Sequence, residues 1–215
     1  CSRSRRCSPQ RRSTAGVDFL VAHSLLPLVS IFVEPAKVLF LNNAINHGIF
    51  SPIGASQAAE TGRSIMYMLE ANPGPGLGVL LAYCFFCKDD TTRQSAPGAV
   101  IIHLLGGIHE IYFPYILMNP VIILAPIVGN FCAILFYSMT GAGLSGPASP
   151  GSIIAYMAMA PRDSILTVLL GVVIAAGVSF VLSTIILKAT SGHTKSLTDA
   201  QNEMNEMKVG KGEMK

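Results

Sequence analysis

The stretch GGIHEIYFP, residues Gly106 to Pro114, decides how this chain folds. It lies inside the apolar run from Gly98 to Met118 and carries an acid, Glu110. Because an unpaired ion inside a bilayer costs several kcal/mol, an acid at this depth indicates a functional site. The two glycines before it let the backbone bend or be approached closely. The stretch therefore predicts a polar binding site built into a broken, membrane-embedded helix.

The composition is that of a membrane protein with several spans. Of the 215 residues, 51% are hydrophobic and 13% are charged, and the mean hydropathy is +0.52, whereas soluble domains carry about 25% charged residues. At about 20 residues per span, this length allows several crossings but not a large soluble domain as well. The net charge of +3 comes mostly from the two ends, so we expect no nucleic-acid partner. Five scattered cysteines indicate no disulfide framework.

The two ends are polar. Residues 1–16 form a basic tail with five arginines, which we expect to be disordered or non-native. No short apolar core with a cleavage site follows it, so no cleavable signal is predicted. Because the chain starts with Cys1 and not with Met, we expect it to be a fragment. Residues 189–215 are predicted to be a cytoplasmic linker or short helix, since lysines follow the last apolar run.

Apolar runs of different length predict different elements. Val121–Met139, with 19 residues, and Ser164–Leu187, with 24, are long enough to be transmembrane helices. Residues Gly76–Cys87 are too short to span a bilayer and suit a re-entrant arm. The segments Ser51–Arg63 and Lys88–Gln94 are polar and are predicted to be connections.

Two segments rich in glycine and proline, Asn72–Gly78 and Thr140–Ser152, interrupt the apolar sequence. Interrupted segments mark ligand sites in transporters, and an ordinary loop outside the membrane is the alternative for the second one. The first contains a G-x-G-x-G spacing, but no predicted strand precedes it. A dinucleotide-binding site is therefore not indicated.

Amides and an imidazole interrupt the segment from Leu39 to Phe50, namely Asn42, Asn43, Asn46 and His47. Such side chains donate and accept hydrogen bonds without a permanent charge, which suits a ligand rich in hydroxyl groups. The alternative is that the asparagines cap helices or join them inside the bundle.

Glu34 and Lys37 lie three residues apart, a spacing that places them on one face of a helix. We expect a structural ion pair that neutralises both charges. Pro35 stands between them and disturbs regular helical geometry.

Metal binding is a weaker interpretation at two places. Cys84 and Cys87 form a C-x-x-C pair, for which a redox or metal role is the weaker alternative to buried packing, because no second pair of ligands has a matching spacing. His103, His109 and Glu110 are a runner-up set for zinc that lacks the usual ligand spacing. We expect no metal and no cofactor.

Four longer motifs resemble one known family. FVEPAKVLFLNNAINHGIFSP, EANPGPGLGVLLAY, GGIHEIYFPYILMNP and GPASPGSI occur in this order. They are similar to motifs of the mannitol-specific IIC permeases of the bacterial phosphoenolpyruvate-dependent sugar phosphotransferase system. The resemblance extends from about Val17 to Lys188, which is nearly all of the apolar part.

This resemblance implies an inner-membrane homodimer whose transport domain, with re-entrant hairpins, moves against a dimer scaffold. It also implies that an alditol is carried inward and phosphorylated by the phosphocysteine of a IIB domain. We expect the family's N-terminal scaffold helices to be missing and recognise no candidate phosphocysteine, so we expect the IIB domain to be a separate chain or a missing part. The substrate-binding residues implied are His47, Glu70 and Glu110, flanked by Asn46, Asn72 and His109.

The fold class predicted is therefore an all-α polytopic membrane protein, with residues 17–188 as the transport domain. Two other functions compete with a phosphotransferase permease. One is an ion- or proton-coupled secondary transporter of a polyol, with Glu70 and Glu110 as proton carriers. The other is an inactive, truncated fragment. The sequence leaves open mannitol against another hexitol and the number of full spans.

Overall fold

The structure is a computed structural model that describes residues 25–190 and 196–212. These residues are mostly helical, and their β-type pairing is an isolated antiparallel bridge between Ser64 and Leu144. The basic tail predicted for residues 1–16 lies outside the described part. The described α-helices are α1 (Ser30–Val38), α2 (Asn42–Ile45), α3 (Ser51–Thr61), α4 (Met68–Ala71), α5 (Gly74–Phe86), α6 (Asp90–Leu104), α7 (Phe113–Met118), α8 (Leu124–Thr140), α9 (Ile153–Ala158), α10 (Ile165–Ala189) and α11 (Leu197–Gly212). Short 3₁₀ helices cover Leu26–Val29, Ile65–Tyr67, His109–Tyr112 and Pro120–Ile123, and a π-helix covers Asn46–Phe50.

Two helices in the described residues are long and apolar enough to cross a membrane. They are Pro120–Thr140, with 21 residues, and Ile165–Ala189, with 25 residues. Both coincide with the apolar runs predicted to be spans. Large apolar side chains such as Leu166 on α10 and Met139 on α8 are exposed, as expected of surfaces that face lipid.

Helix α10 packs closely against α5 and α8 through small residues. Gly171, Ala175 and Ser179 recur every fourth residue and are all buried on one face of α10. A Cβ placed on Gly74 of α5 would lie 2.5 Å from the carbonyl oxygen of Val172, so only glycine permits this approach. Small residues at such spacing let helix backbones pack tightly where lipid gives no hydrophobic driving force.

The predicted break in the Gly98–Met118 run is present. Helix α6 ends at Leu104, and Gly107 follows with φ of +71°, a conformation that side-chain-bearing residues rarely adopt. The chain then enters the 3₁₀ helix His109–Tyr112 and continues into α7. A Cβ on Gly107 would lie 2.5 Å from the amide nitrogen of Ser152, so the break is also a point of close backbone contact.

The prediction of a polar connection over Ser51–Arg63 is wrong, because most of that segment is helix α3. Pro52 lies in its first turn, where the missing amide costs nothing. Gly62 ends it in the left-handed conformation with φ of +78°. Low hydrophobicity concealed a segment whose Ala, Gln and Glu residues favour helix.

The prediction of a loop over Lys88–Gln94 is also wrong, because α6 begins at Asp90. The Asp89 carboxylate caps the helix by accepting hydrogen bonds from the amide and the hydroxyl of Thr92. These bonds stabilise the ionised form and hold the pKa of Asp89 below its ordinary value.

A tight turn after α1 directs the chain toward α2. The amide of Leu41 donates to the carbonyl of Ala36 at 2.7 Å, and the amide of Phe40 donates to Lys37 at 2.9 Å, which is the Schellman pattern. Phe40 takes the left-handed position with φ of +55°, where glycine is usual. Its ring contacts Phe113 edge-to-face at 5.4 Å, and this packing offsets part of the backbone strain.

The C-terminal segment predicted to be a linker or short helix contains helix α11. This helix packs against α7, and Ala200 is fully buried in the contact. Met204, one turn further on, is half-buried against the same core cluster.

Candidate functional site

A cavity of about 440 Å³ lies between four segments that are distant in sequence. Its volume falls within the range of about 300–1,000 Å³ typical of small-molecule sites. The walls come from the π-helix, from α4 with the 3₁₀ turn before it, from residues 107–113, and from residues 147–151. The polar side chains that line it are Asn46, His47, Ser51, Tyr67, Glu70, His109, Glu110 and Ser149.

The first wall is the π-helix, which contains Asn46 and His47. The amide of Ser51 donates to the carbonyl of Asn46, so one turn here holds an extra residue. The Asn46 Nδ2 lies 3.4 Å from Oε2 of Glu70, a long hydrogen bond that joins this wall to α4. His47 is exposed at the cavity. Single π turns occur frequently at functional sites.

The wall formed by residues 107–113 carries Glu110, whose side chain is half-exposed. Its Oε2 accepts a hydrogen bond from Nζ of Lys208 on α11 at 2.7 Å. Exposed pairs of this kind contribute roughly 0–1 kcal/mol, so water or a ligand can compete for the carboxylate.

His109 holds the segment over residues 107–113 to the loop over residues 147–151. Its Nε2 donates to the carbonyl of Gly151 at 3.0 Å. A Cβ on Gly151 would lie 2.5 Å from that nitrogen, so the loop closes tightly on the ring. The Thr140–Ser152 segment was predicted to mark a ligand site because glycine and proline interrupt the apolar sequence there.

Asn72 does not line the cavity and is buried behind it. Its Oδ1 accepts from the amide of Gly74 at 3.0 Å, and its Nδ2 donates to Oδ1 of Asn130 at 3.3 Å. The side chain thus holds the start of α5 against α8. Of the implied residues, His47, Glu70, Glu110, Asn46 and His109 share the cavity.

Tyr67 is a cavity residue for which the sequence carries no local signal. Its ring packs against Gly54 of α3, where an added Cβ would lie 2.7 Å from the ring. The contact depends on how α3 folds back over the 3₁₀ turn Ile65–Tyr67, which neighbouring residues do not specify.

The alternative zinc site has no geometric support. In residues 25–190 and 196–212, no three His, Cys, Asp or Glu side chains converge to hold a metal ion. Cys84 and Cys87 are free, half-buried thiols that pack against the apolar core.

The predicted ion pair between Glu34 and Lys37 is present and fully buried, with Nζ 2.9 Å from Oε1. The carboxylate also accepts from Nδ2 of Asn130 at 2.9 Å and from the hydroxyl of Tyr112 at 3.3 Å. These donors satisfy a charge that would otherwise be very unfavourable inside the protein.

The cavity suits an uncharged ligand with many hydroxyl groups. Two carboxylates accept hydrogen bonds from several directions, while amide and imidazole groups both donate and accept them. A site built to bond hydroxyl groups rejects analogues that lack them, because its own polar groups would remain unpaired.

Comparison with known proteins gives a consistent set of relatives. The family model described as "Phosphotransferase system, EIIC" matches residues 19–129, just over half of the chain. The chain is 57% identical over 199 residues to the PTS system mannitol-specific EIICB component of Bacillus subtilis. It is 56% identical over 196 residues to the PTS system mannitol-specific EIICBA component of Escherichia coli.

These alignments cover most of this chain and a minority of each relative. They span 93% of the chain and 41% of the Bacillus protein, and 91% of the chain and 31% of the Escherichia protein. No solved structure matches the chain.

Proposed function

The chain belongs to the EIIC family of the phosphotransferase system, and on this premise we propose that it binds mannitol and carries it inward for phosphorylation. The observation that carries the proposal is the convergence of Glu70, Glu110, His47 and Asn46 on one cavity. Mannitol has six hydroxyl groups and no charge, which matches a wall of acceptors and mixed donor–acceptors.

Each residue implied by the resemblance has a role in the proposed complex. Glu110 accepts hydrogen bonds from substrate hydroxyls, and the ligand competes with Lys208 for it. His47 and Glu70 complete the pocket, and Asn46 orients Glu70 through their shared hydrogen bond. His109 supports the pocket by holding the segment over residues 107–113 to Gly151. Asn72 acts behind the site, on the segment that follows Glu70.

The transport part of the proposal concerns residues 17–188. We expect them to form a multi-pass domain of the bacterial inner membrane, with α8 and α10 as full spans. Two breaks support re-entrant hairpins in this proposal: one at Asn72–Pro73, before the regular helix α5, and one at residues 105–108, after α6. The complete protein would be a homodimer, with the segment after residue 188 on the cytoplasmic side.

Phosphorylation requires a partner in this proposal. The relatives' names combine EIIC with B or BA components, which supports a IIB domain as the phosphoryl donor. Its phosphocysteine would transfer the phosphoryl group to a mannitol hydroxyl held in the cavity. The donor would be a separate chain or another part of a longer protein.

Glu110→Gln tests the site. Losing a charged acceptor of substrate hydroxyls costs about 1.5–3 kcal/mol, so radiolabelled mannitol should bind roughly 10- to 100-fold more weakly. Equilibrium binding is measured in membranes from a host that lacks its own mannitol permease. Glu60→Gln, an exposed acid of α3 outside the cavity, is the matched control and should bind as the wild type does.

Unchanged affinity in Glu110→Gln would remove this residue from the site. Absence of mannitol binding to the wild-type chain would reject the proposed function for this chain. Adding a phosphorylated IIB domain separates the competing transport mechanisms. Mannitol phosphate should form only with that domain, whereas uptake of unmodified mannitol driven by a proton gradient would favour a secondary transporter.

A further inference from the structure

A buried polar network lies behind the cavity and contacts both of its acidic walls. At its centre the Glu34 carboxylate accepts from Lys37 at 2.9 Å, from Asn130 at 2.9 Å and from Tyr112 at 3.3 Å. The donors come from α1, from α8 and from the 3₁₀ helix His109–Tyr112. All four side chains are at most 1% exposed.

Stability alone does not account for this arrangement. Removing two charges from water is costly, and apolar residues of similar volume often replace buried ion pairs without loss of stability. A network of this kind fixes the relative positions of the elements that carry its donors, because every donor must reach the same carboxylate.

The network is connected to each cavity acid through the backbone. Asn130 Nδ2 donates to the carbonyl of Leu69 at 3.1 Å, and Leu69 directly precedes Glu70. Tyr112 lies two residues after Glu110, in the same 3₁₀ helix. Glu34 therefore accepts one bond from a residue that holds the Glu70 wall and one from a residue of the Glu110 wall.

We propose that this network is a positioning device that sets the separation of the two acidic walls, and thereby the length of the alditol that the pocket accepts. The inference rests on the proposed function, because it assigns the alditol as ligand. A displacement of about 1 Å at a positioned group can change function a hundredfold, so a small shift of either wall matters. The residues involved are Glu34, Lys37, Asn130 and Tyr112.

Two variants test the proposal, a mild one, Tyr112→Phe, and a more disruptive one, Glu34→Gln. Tyr112→Phe deletes the hydroxyl that reaches Glu34 but keeps the ring, which packs edge-on to His103 at 5.3 Å. Glu34→Gln keeps the shape and removes the charge, but it leaves the buried Lys37 ammonium without its counter-ion, so it should lose more stability than Tyr112→Phe. Tyr83→Phe is the matched control, because Tyr83 is fully buried and its hydroxyl donates to the carbonyl of Tyr115 at 2.6 Å, away from the cavity.

The readout is selectivity, which a purely structural role would not change. Mannitol and the five-carbon alditol xylitol are compared by displacement of radiolabelled mannitol. Tyr112→Phe and Glu34→Gln should weaken mannitol binding roughly tenfold and lower the preference for mannitol at least roughly threefold. Tyr83→Phe should lose thermal stability like Tyr112→Phe and keep the wild-type preference.

A second measurement needs no ligand. Spin labels replace two exposed residues, Glu60 on α3 and Leu105, which lies between α6 and the segment over residues 107–113. All five cysteines of the chain are first changed to serine. The distance distribution between the labels should broaden or shift in Tyr112→Phe and stay as in the wild type in Tyr83→Phe.

The two measurements separate the possible failures. Loss of stability with wild-type selectivity and wild-type label distances in Tyr112→Phe and Glu34→Gln would overturn the positioning role. A wild-type chain that binds no mannitol would reject the proposed function. In that case the label distances would still decide whether the network positions the walls.

Discussion

A methyl group on Gly54 is expected to move the Tyr67 ring into the cavity. A Cβ built there lies 2.7 Å from Cε1 and 2.9 Å from Cζ of Tyr67, whereas carbon–carbon contacts are favourable from about 3.5 Å. The ring must therefore retreat by about 0.8 Å. The cavity that Tyr67 lines offers space in which it can do so.

Two opposing effects keep the change in folding stability small. Crowding a packed side chain costs about 1–3 kcal/mol of folding stability. The cost here should be at the low end of this range, because the Tyr67 ring can move into the open cavity. Alanine in place of glycine within a helix gains about 1 kcal/mol. The free energy of unfolding of Gly54→Ala should therefore lie within about 1 kcal/mol of the wild type. Mannitol binding should weaken roughly 10- to 100-fold, because the ring enters the site.

The assay pairs thermal unfolding in detergent with equilibrium mannitol binding in membranes. Gly98→Ala in α6 is the control, since a Cβ at Gly98 meets no atom within 4 Å. It should gain stability slightly and bind normally. The double variant Gly54→Ala/Tyr67→Leu, with a smaller side chain, should recover part of the lost affinity. Wild-type affinity in Gly54→Ala would refute the reasoning.

Two further predictions concern stability. A Cβ on Gly171 would overlap the buried ring of Tyr137, whereas one on Gly177 of the same helix meets nothing within 4 Å. Gly171→Ala should destabilise by about 1–3 kcal/mol and Gly177→Ala should not, as thermal unfolding would show; equal effects would contradict this. The hydrogen bonds from Thr92 lower the pKa of Asp89 below its ordinary value of 3.8. The ionised cap therefore stabilises the fold fully at pH values above 3.8, and this stabilisation is lost as the pH falls through the lowered pKa. Asp89→Ala should unfold at a lower temperature than the wild type at pH 7 and at the same temperature in strong acid. A difference in unfolding temperature that persists in strong acid would contradict this role of the Asp89 cap.

Local signals predicted much of the secondary structure and failed where polarity was taken for a loop. The apolar runs before Thr140 and Ala189 became α8 and α10, and Gly107 broke the central run. Helix α3 was missed because its residues are polar, although Pro52 in its first turn and Gly62 at its end are typical helix signals.

The candidate site was predictable only in part. Motif resemblance singled out His47, Glu70 and Glu110, and all three line the cavity. It could not separate Asn46, which lines the cavity, from Asn72, which is buried behind it. Both are asparagines in polar interruptions of apolar sequence, and the partners that distinguish them lie far away along the chain.

The sequence by itself determined the helical class, the two long apolar helices, the break beside Glu110 and the ion pair between Glu34 and Lys37. These features depend on residues within a few positions of one another, where periodicity, glycine and proline act directly. Only the tertiary structure decided which distant groups share the cavity and which support it. Asn130 lies 58 residues from Asn72 and 96 from Glu34, and their hydrogen bonds exist because helix packing closed those separations.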